Sequence, residues 1–318
     1  MAQSSKPAPI VALGAMTFGG QTNVADAGRM LDMFLDEGYT WVDTAFIYTG
    51  GRSESILGRL LKGRRERVFL CTKAHPGALG GRKPLGLTPS SIRRQIDTSL
   101  IRLRTDCVDL FYLHAPDNRT PLESSLGFCH TLTNEGKIRQ VGLSNYASWQ
   151  AAEAVFICRQ NGWRSPVIYQ GMYNAITRDV ERECLPACRH FGLDFIAYNP
   201  LAAGLLTGKH TDIAHVPKSG RFSLEYYRAR YWRQPYFEAV AALQEKARRL
   251  RIPLAEAGIR WLTRHSQSNG LLLGASTIKH LRDNLAACRK GPLPKPLRDA
   301  FDQAWEHTRP ACQRYFRD

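Results

Sequence analysis

Two polar side chains with complementary chemistry follow the apolar residues Trp41 and Val42. Asp43 closes that apolar run, and the phenol of Tyr48 comes five residues later. Parallel α/β folds place their chemistry at the carboxyl ends of buried strands, so an acid and a phenol at this position are candidates for a site. An Asp-Thr pair after a strand also commonly caps the next helix, and this stretch alone leaves both interpretations open.

Two further strand ends favour the catalytic interpretation. Lys73 ends the apolar run that begins at Val68, and His114 ends the run that begins at Val108. A lysine at the end of a buried strand is costly without a partner, and Asp43 on the neighbouring strand is the natural one. A structural ion pair, a core histidine and a packing phenol would explain these residues singly. Four complementary groups on three adjacent strands indicate one active site.

The elements that must position these residues alternate between strand and helix along the whole chain. Eight alternations match a single (β/α)8 TIM barrel over residues 1–318, with a long irregular loop after strand seven and an extra C-terminal helix and tail. A doubly wound sheet would instead predict a glycine-rich dinucleotide fingerprint, which Gly14, Gly19 and Gly20 do not fit. The predicted strands are 10–13, 40–43, 68–73, 108–114, 138–143, 167–170, 194–198 and 271–274. The predicted helices are 25–37, 54–61, 90–103, 121–135, 149–161, 181–191, 237–251, 254–265, one that begins near 276, and 297–307, whereas 199–235 is predicted to be irregular.

The composition narrows the function classes. A sequence with 43% hydrophobic and 23% charged residues is typical of a globular domain, and no run reaches the ~20 apolar residues of a membrane helix. Residues 1–9 lack the pattern of a secretory signal, and the eight scattered cysteines are typical of reduced thiols. We therefore expect a cytoplasmic protein. Cys184, Cys188 and His190 lack a fourth ligand, so no metal site is predicted.

The formal net charge of +16 indicates an anionic partner. The basic residues are dispersed, without the aromatic-interleaved pattern of nucleic-acid-binding segments. The charge therefore favours a small anionic molecule, such as a phosphorylated cofactor, over nucleic acid or a membrane.

Several long stretches resemble the aldo-keto reductases, and within them the aflatoxin-aldehyde and succinic-semialdehyde reductase group. The resemblance implies that Asp43, Tyr48, Lys73 and His114 form a catalytic tetrad and that the enzyme uses NADPH/NADP+ to reduce aldehydes, reactive dicarbonyls or ketones. It also implies a small-molecule carbonyl substrate and a homodimer. The matching stretches are DTA at 43–45 with Tyr48, TKA at 72–74, DLFYLHAPD at 109–117, GLSNY at 142–146, YQGMY at 169–173, AYNPL at 197–201 and GLLTGK at 204–209.

The chemistry of carbonyl reduction agrees with that tetrad. The reaction needs a hydride at carbon and a proton at oxygen, and a tyrosine with a pKa near ~10 is a weak acid at neutral pH. A lysine ammonium ~4 Å from the phenol would favour the phenolate by about 4 kcal/mol at an effective dielectric of ~20, or roughly 3 pKa units. We therefore expect Lys73 to lower the pKa of Tyr48, Asp43 to keep Lys73 charged, and His114 to orient the carbonyl oxygen.

The resemblance also implies where the cofactor binds. Ser144, Asn145 and Gln170 would hold the nicotinamide carboxamide and Tyr198 would stack on the ring, although Ser144-Asn145 alone fits an ordinary turn. The phosphates and adenosine would contact a larger set, which comprises Asn199, Pro200, Leu201, Gly204, Leu206, Lys209, Arg221, Ser276, Thr277, His280, Asp283 and Asn284.

The adenosine end departs from the family pattern. Many members carry a lysine and an arginine where this chain has Gly274 and His280. A helix start suits a 2′-phosphate, but the carboxylate of Asp283 narrows the expected preference for NADPH over NADH. Lys279 and Arg282 are candidates to compensate.

Substrate contacts are expected from Met16, Phe46, His114, the segment 226–232 with Trp232, and the tail. Arg228 and Arg317 lie where the group carries arginines associated with acidic substrates, and ordinary solvated arginines explain them equally well. Phe46 and Trp232 suit aromatic or dicarbonyl substrates just as well.

Two other function classes remain open at this point. Potassium-channel β subunits share the superfamily fold and cofactor site and act mainly as regulators, but the long loop and tail of this chain match the reductase group better. An unrelated barrel lyase would use Lys73 for a Schiff base. Asp43 argues against the lyase, because a lysine paired with a carboxylate stays protonated and is a poor nucleophile.

Overall fold

The computed structural model describes residues 8–77 and 84–317. Eight parallel strands in these ranges pair in sequence order, and β1 pairs with β8 to close the barrel. The predicted (β/α)8 barrel is thus confirmed. No helix within the described ranges is long and apolar enough to cross a membrane. The strands are β1 (Ile10–Gly14), β2 (Trp41–Asp43), β3 (Phe69–Ala74), β4 (Val108–Leu113), β5 (Ile138–Ser144), β6 (Ile168–Met172), β7 (Asp194–Tyr198) and β8 (Gly270–Gly274).

The helices surround this barrel and bury their apolar faces against it. Six of them each follow the strand of the same number, three follow β7, one follows β8, and the last is the predicted extra C-terminal helix. They are α1 (Val24–Asp36), α2 (Arg52–Leu60), α3 (Pro89–Leu103), α4 (Leu122–Asn134), α5 (Ser148–Gln160), α6 (Cys184–Phe191), α7 (Glu225–Tyr231), α8 (Gln234–Arg249), α9 (Leu254–Arg264), α10 (Ile278–Arg289) and α11 (Lys295–Thr308).

The prediction that 199–235 is irregular was wrong for part of the segment. It contains α7, two 3-10 turns at Ala202–Thr207 and Arg221–Ser223, and the start of α8. The buried face of α7 consists of Tyr227, Arg230 and Tyr231, so an arginine at an inward position hid the helical pattern. Pro235 lies in the first turn of α8, where a helix needs no backbone N–H donor.

A buried polar network fixes α2 against the strands that carry the site. The carboxylate of Glu54 accepts hydrogen bonds from the Thr72 hydroxyl of β3 at 2.7 Å and from the Arg102 guanidinium of α3 at 3.0 Å. The Ser53 hydroxyl donates to the carbonyl of Ala15, just after β1, at 2.7 Å. These bonds connect α2 and α3 to β3, the strand that carries Lys73, and α2 to the loop after β1.

Gly58 is the point of closest approach between α2 and α3. A Cβ there would lie 2.2 Å from the backbone carbonyl oxygen of Arg102, so the two helices would have to separate. We expect Gly58→Ala to lower the free energy of unfolding in urea by about 2–3 kcal/mol. Gly28→Ala in α1 is the control, because its Cβ would meet only a Leu60 methyl at 3.4 Å. Equal effects of the two changes would contradict this close packing.

Candidate active site

A cavity of about 980 Å³ opens at the carboxyl ends of the barrel strands. Of the predicted catalytic residues, Asp43, Tyr48 and His114 line this cavity, and Lys73 lies behind them, fully buried. The structure therefore brings together the four residues that the sequence selected. Their catalytic roles remain predictions.

The Lys73 ammonium is held by partners from neighbouring strands. It forms an ion pair with the Asp43 carboxylate and donates a hydrogen bond to the Thr44 carbonyl at 2.7 Å. The other Asp43 oxygen accepts a hydrogen bond from the Gln170 amide at 3.0 Å. Burial would lower the pKa of Lys73, but the nearby Asp43 and Tyr48 raise the pKa, which ends above its ordinary value. Lys73 is therefore a charged ammonium at neutral pH.

Tyr48 lies beside this ion pair, with the Lys73 nitrogen 5.0 Å from the centre of its ring. Burial raises the pKa of Tyr48 and outweighs the opposing effect of Lys73, and the Asp43 carboxylate raises it further. Lys73 lowers the pKa of Tyr48, as expected, but the net pKa lies above its ordinary value, because the expectation left out the cost of burying a phenolate. Tyr48 is a neutral phenol that holds a proton to donate.

His114 is the third group at the reacting end of the cavity. Its ring lies edge-on to the Tyr48 ring with 5.8 Å between centres. Burial and the positive charge of Lys73 hold the pKa of His114 well below its usual range, and His75 and Arg317 add to this effect. The imidazole is therefore neutral, so it can donate one hydrogen bond without adding a charge.

The predicted nicotinamide residues lie next to these groups. Asn145 adopts a left-handed backbone conformation with φ of 64°. Its amide nitrogen donates to the His114 carbonyl at 2.8 Å and to the Ser144 hydroxyl at 3.0 Å, and its amide oxygen accepts from the Tyr198 hydroxyl at 2.7 Å. Ser144, Asn145, Gln170 and Tyr198 all line the cavity. The bonds of Asn145 connect Ser144 and Tyr198 to the backbone of His114.

Most of the predicted phosphate and adenosine residues line the other end of the same cavity. Two do not: Leu206 is fully buried, and the Thr277 hydroxyl caps α10 by accepting the His280 N–H at 3.2 Å. The residues that do are Asn199, Pro200, Leu201, Gly204, Lys209, Arg221, Ser276, His280, Asp283 and Asn284.

The charges at this end fit a phosphorylated dinucleotide. Arg221 reaches towards β8, and one of its guanidinium nitrogens lies 2.8 Å from where a Cβ on Gly274 would be. Two cations, Arg221 and Lys209, border the cavity together with the start of α10. Positive side chains and the N-terminus of a helix both bind phosphate favourably. Lys279 pairs with Asp283 at 2.6 Å, so the carboxylate that weakened the sequence prediction has a positive partner.

The comparisons with known proteins agree with this geometry. Residues 10–306 match the model of the Aldo/keto reductase family. The chain belongs to this family. It is 46% identical to human "Aldo-keto reductase family 7 member A3", over 99% of both chains. It is also 46% identical to human "Aflatoxin B1 aldehyde reductase member 2", over 100% of this chain and 92% of the relative, and 44% identical to the human member 4 over 99% of both.

The predicted substrate residues of this aldo-keto reductase fall into two groups. Met16 and Arg317 line the cavity, whereas Phe46, Arg228 and Trp232 are not among its lining residues. The last three have other contacts. The Phe46 ring packs 4.7 Å from the Arg102 guanidinium. Arg228 donates to the carbonyls of Phe222 and Ser223 at 2.9 and 2.8 Å, and the Trp232 indole donates to the Ile213 carbonyl at 2.7 Å.

Arg230 is a cavity residue that lies in the predicted substrate segment 226–232 but was missed as an individual site residue. Its side chain is only 8% exposed, and two of its guanidinium nitrogens have no hydrogen-bond partner in the described part of the chain. Burial would lower its pKa, but the surrounding tyrosines, Tyr198 first, raise it, so the group is charged. The signal that could have found it is the helical spacing of Tyr227, Arg230 and Tyr231, but the charged residue at an inward position obscured that spacing.

His75, two residues after Lys73, is a second missed residue of the cavity. Its ring lies 5.0 Å from the ring of His114, and its Nδ1 accepts the Gly77 N–H at 2.9 Å. The single proton of the neutral ring is therefore on Nε2. Burial and the positive charge of Arg317 lower the pKa of His75 to about 4.

This shift predicts a contribution of His75 to the pH dependence of stability. An unfolded histidine has a pKa of ~6.5, whereas the folded value is about 4, so between these limits the unfolded chain binds more protons. Stability is then lost as the pH falls through this window, by less than the full ~3 kcal/mol that this shift corresponds to, because His75 is only partly buried and solvent screens its charge. We expect His75→Asn, which can still accept the Gly77 N–H, to flatten this loss in urea titrations from pH 7 to 4. Parallel profiles for the variant and the wild type would contradict this.

Proposed function

We propose that this aldo-keto reductase uses NADPH to reduce aldehydes, and also reactive dicarbonyls or ketones, to alcohols. The observation that carries the proposal is the position of the Tyr48 phenol, whose ring centre lies 5.0 Å from the nitrogen of Lys73 in the buried Lys73–Asp43 pair. A neutral imidazole stands at the same end of the cavity. Two of the relatives are named as aflatoxin aldehyde reductases, which supports aldehydes as the substrate class.

Each member of the tetrad has one task in this proposal. NADPH, when bound, supplies the hydride that the carbonyl carbon accepts. Tyr48 gives its proton to the carbonyl oxygen, and the Lys73 ammonium stabilises the phenolate that remains. His114 donates a hydrogen bond that orients the carbonyl oxygen. Asp43 keeps Lys73 charged and fixed.

The choice of NADPH as cofactor rests on the charged residues that line the end of the cavity away from Tyr48. Ser144, Asn145 and Gln170 would hold the nicotinamide end, while Lys209, Arg221 and the start of α10 would hold the phosphates. The net charge of +16 also favours the more anionic of the two nicotinamide cofactors. The homodimer implied by the resemblance stays a prediction.

The first test of this function is NADPH oxidation by a panel of aldehydes. We expect the wild type to turn over rapidly and to bind NADPH more tightly than NADH in fluorescence titrations. Tyr48→Phe should lower kcat by about 10²–10⁴-fold and leave the dissociation constant of NADPH unchanged. Tyr236→Phe is the control, because Tyr236 is fully buried and lies outside the cavity lining. Tight NADPH binding without turnover by the wild type would instead indicate a regulator of the potassium-channel β-subunit kind.

The substrate end of the cavity favours an aldehyde that carries a carboxylate. Arg230 is a buried cation on the cavity lining, and no carboxylate of the described residues pairs with it; a buried charge without a partner is costly. Arg317 adds a second positive charge on the lining of the same cavity. An acidic substrate would supply the missing partner, so we propose succinic semialdehyde and related acids as the preferred class.

This assignment predicts a selective effect of Arg230→Met. The KM for succinic semialdehyde should rise by about 10–100-fold, the range expected for loss of a charge-assisted hydrogen bond. The KM for the uncharged 2-nitrobenzaldehyde should change little. Arg228→Met should have a smaller effect, since its guanidinium is bound to backbone carbonyls. If Arg228→Met raised this KM more than Arg230→Met, the binding of the substrate carboxylate would be assigned to Arg228 instead.

A further inference from the structure

The C-terminal tail, residues 309–317, forms part of the wall of the cavity. The chain leaves α11 at Thr308 and continues to Arg317, which lines the cavity. Chain ends without regular structure fray unless they are tied down. The position of Arg317 therefore requires an attachment elsewhere in the tail.

The first attachment is the side chain of Tyr315, which is only 5% exposed. Its hydroxyl accepts a hydrogen bond from the Ser148 N–H at 3.0 Å and donates one to the Glu183 carboxylate at 2.5 Å. The Ser148 hydroxyl also donates to Glu183. Through this group the tail is bound to the first residue of α5 and to the residue that precedes α6.

The second attachment lies at the end of the tail. The backbone N–H of Arg317 donates to the carbonyl of Asn145 at 3.0 Å. Asn145 directly follows β5 and Ser148 begins α5, so both attachments reach the short segment 145–148, and Glu183 adds a contact just before α6. The position of Arg317 is consistent with this, because its positive charge lowers the pKa of both His75 and His114.

We infer that Tyr315 is a positioning residue for substrate recognition: its buried hydroxyl holds the tail so that the Arg317 guanidinium stands at the cavity wall, where it binds the carboxylate of an acidic aldehyde. Tyr315 is not one of the residues that line the cavity, so it acts only through the tail. The inference rests on the proposed function, which supplies the carboxylate.

The test compares an acidic and an uncharged aldehyde in Tyr315→Phe, which keeps the ring and removes the hydroxyl. We expect the KM for succinic semialdehyde to rise about tenfold, with kcat and the KM for 2-nitrobenzaldehyde changed less than about twofold. In an Arg317→Ala background, Tyr315→Phe should cause no further rise in this KM. Independent, additive effects of the two changes would overturn the inference.

Tyr173→Phe is the matched control. Tyr173 is also fully buried and its hydroxyl also donates to a glutamate, Glu181, at 2.5 Å, but it belongs to neither the tail nor the cavity lining. Its removal should cost similar stability without changing the ratio of the two KM values. If Tyr173→Phe shifted that ratio as much as Tyr315→Phe, loss of stability would explain both effects, and the inference that Tyr315 positions the tail would be overturned.

Hydrogen exchange measured by mass spectrometry separates the failure of this inference from the failure of the proposed function. Tyr315→Phe should speed exchange in the C-terminal peptide, and Tyr173→Phe should not. A wild type that oxidises no NADPH with any aldehyde would contradict the proposed function, and the exchange data would still decide whether Tyr315 holds the tail. Unchanged exchange in Tyr315→Phe, or equal KM values of the wild type for the two aldehydes, would overturn the inference.

Discussion

The buried ion pair between Lys73 and Asp43 is the interaction on which the rest of the site depends. Both side chains are almost completely removed from water, which costs several kcal/mol per ion unless close partners compensate. The partners are the Thr44 carbonyl and the Gln170 amide. Because β2 and β6 lie four positions apart in a closed ring of eight strands, the bond between Gln170 and Asp43 crosses the barrel interior. The closed barrel supplies that contact, so the buried ion pair depends on the fold.

The same burial sets the protonation state of Tyr48. The ammonium of Lys73 would draw the phenol towards its phenolate, but removal from water has the larger effect and keeps the proton in place. A phenol that holds its proton until a carbonyl oxygen develops negative charge suits reduction. In the proposed reaction the ammonium would stabilise a phenolate that exists only after transfer, so its electrostatic effect would fall on the step where charge forms and not on the resting state.

The sequence predicts the strand-end residues well, because two local rules are sufficient. An apolar run that ends in a polar residue marks a strand end, and a parallel barrel gathers such ends at one face. This brings Asp43, Lys73, His114 and Gln170 together. The errors concern non-local quantities. The choice between Arg228 and Arg230 depends on the register of a helix that the sequence pattern concealed, and the pKa of Tyr48 depends on a burial that no local pattern encodes. Nothing near Tyr315 indicates that its hydroxyl meets Ser148, 167 residues earlier in the chain.

Proton transfer and substrate charge come from different parts of this molecule. The tetrad lies on the ends of β2, β3 and β4 and in the loop after β2, where the barrel fixes it. The cations proposed to face the substrate come from α7 and from the tail, which lie outside the eight strand-helix units. Both additions are attached by a few specific bonds, such as those of Tyr231 to the amides of Asn174 and Asn199 at 3.2 and 2.8 Å. Because the barrel closes without these additions, we expect changes in them to alter which carbonyl compound binds, while the buried ion pair and the proposed proton donor stay the same.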